Sequence, residues 1–329
     1  SCSKALVWAS KIRGINYHVF DLNRGFNHYC FRNSSLHSIS ENSNRAINLF
    51  NNNPNKAKAT ALHFYENKRN RKFTYEKSHT ISQKKGFLGK KTNKKIISVF
   101  TSSDDEFRFN GSDWGDNQKT VDQISEISDL ISILGNEYAI YIRMHPNQHS
   151  MPKKILQNYL DKFQNKAYLI LPKSNVDTYH LIDSSHVVIT FCSLVGPETA
   201  YFDRNLITIG PSPYMKLNIG NNVSSAYEAS KIILSNKFNH DKKGSIIWAN
   251  YLMNYSDSLP SFKNLGNGIF HIDGKKIKFK NRISIPLLFC KFEIFISRNN
   301  LFDTRSLKTA LANLLTLIDG RVRGDHDIK

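Results

Sequence analysis

Acidic residues are scarce in this chain. Among 329 residues, 46 Lys and Arg face 27 Asp and Glu, a formal net charge of +19. Cysteine is scarce too: Cys2, Cys30, Cys192 and Cys290 stand far apart, with no C-x-x-C pair. That excludes a disulfide framework and a zinc ribbon, and it fits a reducing cytoplasm. No apolar run reaches the roughly 18 residues that a membrane-crossing helix needs. The longest such stretch, residues 283–296, is broken by Pro286, Lys291 and Glu293, and reads as core. Residues 1–10 lack a basic segment followed by an apolar one, so they do not read as a signal peptide. They resemble mid-domain sequence, and the expectation is a fragment of a longer protein. H-E-x-x-H, G-x-S-x-G and the kinase signatures are missing. Residues 86–92 (GFLGKKT) imitate a phosphate loop but lack its spacing and lead into a strand. Asp325-His326-Asp327 imitates a metal-binding D-x-D in a terminal tail, and His145 and His149 share a Pro-Asn loop instead of a helix face, so no metal is expected.

What is present excludes disorder and fibrous repeats: 40% of the residues are apolar and 12% aromatic. The length suits two domains. The charge is lopsided. Residues 1–95 hold 19 Lys and Arg against 4 Asp and Glu, and the remainder 27 against 23. So basic a region suits an anionic partner, or a solvated Lys- and Asn-rich surface.

Residues 1–94 are rich in Asn, Lys and Ser with weak periodicity, and are expected to form a partial N-terminal domain ending in a basic linker. A helix over residues 5–12 and a strand over 17–20 are expected there, with a loop at Asn51-Asn52-Asn53-Pro54. From residue 95 the pattern sharpens. Apolar runs at 96–100, 138–143, 168–171, 187–190 and 206–209 read as strands. Helical spacing at 121–134, 153–163, 177–182, 197–202 and 224–234 separates or follows them. That alternation predicts an α/β fold with a doubly wound parallel sheet over residues 95–240. Residues 241–329 read as a C-terminal extension, with an amphipathic helix at 306–318, that crosses back to the first domain.

Open parallel sheets bind ligands beyond the carboxyl ends of their strands. The residues there are polar: Thr101, Ser102, Ser103 and Asp104 to Glu106; then Arg143, His145 and Asn147; then Ser174, Asp177, Thr178 and Tyr179; then Ser193, Gly196 and Glu198. The turn from Ser193 to Glu198 leads into a helix with Pro197 in its first turn, an arrangement suited to phosphate and equally to an ordinary helix start. Arg143 and His145 are two donors for a diphosphate, and an imidazole also moves protons near neutral pH. A satisfied structural His is the plainer reading. Ser174, Asp177 and Thr178 read as a helix cap, with Tyr179 able to stack on a base.

The series S-S-D-D-E-F (102–107), R-M-H-P-N (143–147), S-N-V-D-T-Y-H-L-I (174–182) and T-F-C-S-L-V-G-P-E-T-A-Y-F (190–202) resembles bacterial capsule polysaccharide biosynthesis proteins, which are GT-B-fold glycosyltransferases. Residues 78–86 resemble the segment before that family's domain junction. The resemblance implies two Rossmann-like domains and a nucleotide-sugar donor held by the second. A glycan or lipid-linked glycan acceptor would be held by the first. It implies that His145 and Arg143 approach the donor phosphates, that Ser193 and Gly196 form the phosphate-facing turn, and that Glu198 holds the ribose. Ser102 and Ser103 would line the donor cleft beside Ser174, Thr178 and Tyr179. His145 and Glu198 are the catalytic candidates. No cofactor and no metal are implied, and no acceptor base is assigned. The basic first third would sit against an anionic inner membrane leaflet. Two other readings remain. One is a sugar-nucleotide epimerase on the same scaffold. The other is a nucleic-acid or anionic-surface module built on residues 61–75, where Phe64, Tyr65, Phe73 and Tyr75 alternate with Lys68, Arg69, Arg71 and Lys72, although no nucleic-acid-binding motif accompanies them.

Overall fold

The computed structural model describes residues 9–10, 12–23, 28–32, 38–73, 80, 82–103, 121–150, 153–258 and three short strands within 262–278. Two units emerge from the packing: residues 1–23, 29–34 and 258–329 in one, and 24–28 with 35–257 in the other. The breaks expected at residues 94 and 240 are not the divisions seen here. The described residues of 39–94, and 241–257, fall in the unit that holds the sheet.

The strands Val19–Asn23 and His28–Arg32 are neighbours in a small sheet. Phe262–Gly266, Ile269–Ile272 and Lys275–Lys278 form an antiparallel meander, with a bulge between Asn264 and Gly266. Only the last residues of the helix expected at 5–12 are described. The segments at 283–296 and 306–318, Asp104 to Glu106, and Asp325 to Asp327 lie outside the described residues.

The second unit is built on six parallel strands: β1 Lys95–Phe100, β2 Tyr138–Arg143, β3 Tyr168–Ile170, β4 Ser185–Thr190, β5 Leu206–Ile209 and β6 Asn221–Val223. Their order is β3-β2-β1-β4-β5-β6. This is the doubly wound sheet expected from the alternation of apolar runs. β1 is buried along nearly its whole length, as a strand covered on both faces must be. Ile97, Val99, Ile140, Ile142, Val187 and Ile189 face one layer, which contains α3 (Gln123–Leu134), α4 (Lys153–Phe163) and α7 (Ala226–Ser235). Ile96, Phe100, Tyr141 and Val188 face the other, with α5 (Thr178–Ser184), α6 (Val195–Tyr201) and α8 (Lys243–Asn254). The alternation follows from the two-residue period of a strand.

Over that second layer lie α1 (Ile39–Asn52) and α2 (Pro54–Arg69), two helices that the weak apolar periodicity of residues 1–94 does not predict. Their starts are well signalled. The Ser38 hydroxyl accepts from Glu41 N, and the Asn53 side chain accepts from Lys56 N ahead of Pro54. The expected Asn-Asn-Asn-Pro loop thus shrinks to Asn53 alone, which ends one helix and caps the next. Their buried stripes hold few large apolar side chains: Ile39, Asn42, Ser43 and Ala46 in α1, and Ala57, Ala61, Phe64, Tyr65 and Lys68 in α2. In α8, Gly244 sits so near the Leu217 carbonyl that a Cβ would lie 2.0 Å from its oxygen, so only glycine lets the helix dock there.

Candidate functional site

The three central strands end level. Phe100 pairs with Arg143 of β2 and with Thr190 of β4. Strand order reverses between β1 and β4, so this is the switch point where a doubly wound sheet opens a crevice. Residues 101–103, 144–145 and 191–193 therefore leave the sheet side by side.

Local hydrogen bonds hold this rim. Thr101 N donates to the Arg143 carbonyl and Phe191 N to the Phe100 carbonyl, at 3.1 and 3.3 Å. Gln123, at the start of α3, accepts from Ser102 N at 2.8 Å and donates to the Ser102 carbonyl at 3.2 Å. Gln148 accepts from the Thr101 hydroxyl at 2.9 Å and from His145 N at 2.8 Å. The two glutamines fix the loops after β1 and β2; nothing in the sequence distinguished them. The Ser102 hydroxyl donates to the Phe191 carbonyl, spanning the switch point itself. The chain turns after β4 with Cys192 in the left-handed region, φ 63°, at a cost of roughly 1–2 kcal/mol for a residue with a Cβ.

Three buried polar groups on this rim have no hydrogen-bond partner among the described residues: the Ser103 hydroxyl, Gln148 Nε2 and Arg143 Nη2. Orphaned groups occur elsewhere, such as Trp248 Nε1 and Ser212 Oγ, but here three belong to two adjacent strand ends. Each costs about 1–3 kcal/mol when no partner meets it. Arg143 is also bound inward, since its Nη1 donates to the Val176 carbonyl at 2.8 Å. Burial lowers its pKa to about 10, against the opposing pull of Asp177. The His145 Nδ1 accepts from Asn147 N at 3.2 Å, which leaves the proton on Nε2 when the ring is neutral.

The turn after β4 is packed tightly. Ser193 Oγ accepts from Val195 N at 3.3 Å, and the Ser193 carbonyl accepts from Gly196 N and from the Tyr214 hydroxyl. A Cβ on Gly196 would lie 2.7 Å from that hydroxyl. Burial, before the nearby Cys192 thiol, pushes the Tyr214 phenol well above its ordinary range.

Glu198 and Tyr179 take part in a second assembly. Glu198 is 5% exposed. One carboxylate oxygen accepts from Lys68 of α2 at 2.6 Å and the other from the Tyr179 hydroxyl at 2.5 Å. Lys68 lies on the stripe of α2 that faces inward, so a lysine at a core position was the available signal for it. Beside it, Tyr65 stacks on Tyr201 at 4.2 Å and donates to the Ser245 carbonyl. Burial first, and then the charge of Glu198, push that phenol far up.

Asp177 caps α5 as its neighbours suggested, accepting from Tyr179 N. Thr178 N donates to Gln83 at 3.0 Å, and the Ser174 hydroxyl accepts from Val176 N at 3.3 Å. The basic and aromatic run at 61–75 turns inward where it is described. Lys68 meets Glu198, Arg69 meets Asp183, and Arg71 meets Asp177. These cations are neutralised internally, which leaves little of them for a nucleic-acid surface.

The expected residues thus divide. Ser102, Ser103, Arg143, His145, Ser193 and Gly196 gather on the rim of the central strands, while Glu198 and Tyr179 join the seam with α2, and Ser174 and Thr178 shape the loop before α5. Among the described residues no group of three or more His, Cys, Asp or Glu side chains is arranged to hold a metal ion. No described helix is long and apolar enough to cross a membrane.

A family model described as capsule polysaccharide biosynthesis protein matches residues 29–248. Comparison with curated protein sequences gives no match. Among solved structures, the wall teichoic acid polymerase TagF, soaked with CDPG, is 19% identical at a TM-score of 0.32, over 54% of this chain and 41% of that one. KpsC from Thermosulfurimonas dismutans is similar in two forms. The β-Kdo 2,4 transferase is 12% identical at a TM-score of 0.47, over 75% of each chain, and the β-Kdo 2,7 transferase is 15% identical at 0.42, over 72% of this chain and 68% of that one. The chain spans 41% of the polymerase's length.

Proposed function

Since the chain belongs to the capsule polysaccharide biosynthesis protein family, we propose that it is a glycosyltransferase of surface-polysaccharide assembly, moving a sugar from a nucleotide donor to a growing glycan. The observation that carries this reading is the rim at the switch point, where Ser103, Gln148 and Arg143 hold buried polar groups without partners among the described residues. Glycosyl transfer leaves negative charge on the departing phosphate, and donors fixed in place beforehand stabilise it. In this reading the diphosphate lies over the ends of β1, β2 and β4. His145 donates from Nε2 and the Ser193 turn borders the other side. A ribose role for Glu198 requires Lys68 or Tyr179 to release a carboxylate oxygen.

Calorimetry with a panel of sugar nucleotides tests the assignment. One of them should bind, and Ser103→Ala and His145→Ala should each weaken it about tenfold or more, the scale of a hydrogen bond to a charged group. If no sugar nucleotide binds, or both variants bind as the parent does, the donor site is misplaced. Incubation without acceptor separates the alternative, because an isomerised sugar nucleotide would mark an epimerase.

The acceptor, a glycan or lipid-linked glycan, and contact with an anionic inner leaflet belong to the same proposal. They are motivated by the 19 Lys and Arg against 4 Asp and Glu in residues 1–95. Co-sedimentation should favour anionic over neutral liposomes and weaken with salt. Equal sedimentation with both would remove the membrane contact.

A further inference from the structure

The Ser193 turn is held from beneath by a residue to which the donor reading gives no part. Tyr214 follows β5 in a loop that runs Gly210-Pro211-Ser212-Pro213-Tyr214. Pro211 and Pro213 each fix φ and stiffen that loop. Gly210 N donates to the Val223 carbonyl at 2.9 Å, which ties the start of the loop to β6. Beyond it, Met215 N donates to the Ser212 carbonyl and Leu217 N to the Tyr214 carbonyl, winding the chain into one 3₁₀ turn. The Tyr214 backbone therefore has little freedom. Its ring is fully buried and meets Trp248 of α8 edge-on, with centroids 5.7 Å apart. Close packing of this kind fixes the hydroxyl as firmly as the backbone.

That hydroxyl donates to the Ser193 carbonyl at 2.7 Å. Gly196 N donates to the same carbonyl at 3.0 Å, so both of its lone pairs are engaged. The fit is close. A Cβ on Gly196 would come within 2.7 Å of the phenolic oxygen and 3.4 Å of Thr190 Oγ1. The turn needs such an anchor, because the chain enters it through Cys192 in the left-handed region, a conformation that persists only where the surroundings impose it.

Ser193 itself is part-exposed, whereas Thr190, Gly196 and Tyr214 below it are buried. Its Oγ accepts from Val195 N at 3.3 Å. A hydroxyl that accepts in this way keeps its own proton to donate, and that proton meets no acceptor among the described residues. Carbonyl and Oγ are thus both fixed, the first by Tyr214 and Gly196 and the second by Val195. What remains of Ser193 is one O–H donor, set in advance on the rim. Donors placed beforehand stabilise developing charge without reorganising.

We infer that Tyr214 is a positioning residue for the donor: without touching substrate, its hydroxyl holds the Ser193 carbonyl inward and so keeps the Ser193 hydroxyl trained on the donor's phosphates. The inference rests on the donor reading given above. A double-mutant cycle tests it, read by calorimetry of the full chain with UDP-, GDP-, CDP- and CMP-linked sugars. Ser193→Ala should weaken the sugar nucleotide that binds the parent about tenfold or more. Tyr214→Phe, which keeps the buried ring, should weaken it about fivefold or more. Added to Ser193→Ala, Tyr214→Phe should cost less than about twofold further, because the group it positions is already gone. A phenol that merely held the fold together would cost as much in either background. Gly196→Ala, whose methyl crowds the same hydroxyl, reaches the same loss by a second route, about fivefold or more. Parental affinity in both Tyr214→Phe and Gly196→Ala would overturn the inference, as would parental affinity in Ser193→Ala, or a Tyr214→Phe loss as large on Ser193→Ala as on the parent. Any of these, in a parent whose binding Ser103→Ala and His145→Ala still weaken, removes Tyr214 alone and leaves the donor reading standing. A parent that binds no sugar nucleotide overturns both.

Discussion

Where α2 meets α5 and α6, each charge has its opposite. Lys68 meets Glu198 with both side chains 6% exposed, Arg69 meets Asp183, and Arg71 meets Asp177. On the rim above β1, β2 and β4, Ser103, Gln148 and Arg143 keep polar groups that nothing among the described residues satisfies. Both regions belong to one unit and both hold buried polar side chains, so burial alone does not separate scaffold from site. The difference lies in whether the protein completes its own polar groups. A completed group holds structure together, whereas an incomplete one costs stability until a ligand supplies the missing partner.

The most severe way to break this contrast is Glu198→Ala. It removes the carboxylate that accepts from the buried Lys68 ammonium and from the Tyr179 hydroxyl, and should lower unfolding stability by about 3–5 kcal/mol, read by urea titration. Replacing both partners, Lys68→Met with Glu198→Leu, should recover most of the loss, because a buried ion pair contributes little net stability over apolar packing. A variant that lost sugar-nucleotide binding without losing stability would move Glu198 from the seam to the rim. Gly196→Ala comes next. Its methyl would stand 2.7 Å from the Tyr214 hydroxyl, an overpacking cost of about 1–3 kcal/mol. Adding Tyr214→Phe should return part of that loss, and no recovery would locate the strain elsewhere. Ser103→Ala should lower stability least of the three; it should leave it unchanged or raise it by up to about 1–3 kcal/mol, because it removes a buried hydroxyl that lacks a partner among the described residues. The same variant should weaken donor binding. A clear drop in its unfolding midpoint would mean that Ser103 serves the scaffold.

The α/β core beyond residue 95 was legible because its strands are nearly unbroken apolar runs and its helices carry large apolar residues at helical spacing. α1 and α2 were not. The stripe of α1 packs through Ile39 with Asn42, Ser43 and Ala46, and that of α2 through Phe64 and Tyr65 with Ala57, Ala61 and a lysine, so small and polar residues interrupt the large apolar ones. A search for large apolar residues passes over such faces, though the periodicity is there. β6 escaped notice because it has three residues, two of them asparagines. On the rim, hydroxyls, His145 and the glycine turn were visible as polar residues following strands. The roles of Gln123 and Gln148 were not, because a glutamine has no local pattern and its partners lie across the fold. Glu198 was visible as a residue and obscure as a role, since its assignment depends on Lys68, 130 positions earlier.

That separation has a consequence for how the chain matures. During synthesis α2 leaves the ribosome well before α6 exists, so its inward lysine waits in water, where an ammonium is at ease. Contacts so remote in sequence close late, and burying Lys68 becomes favourable only when Glu198 arrives on a formed sheet. On that argument the ion pair favours a late seating of α2, once the strands beneath α6 have assembled.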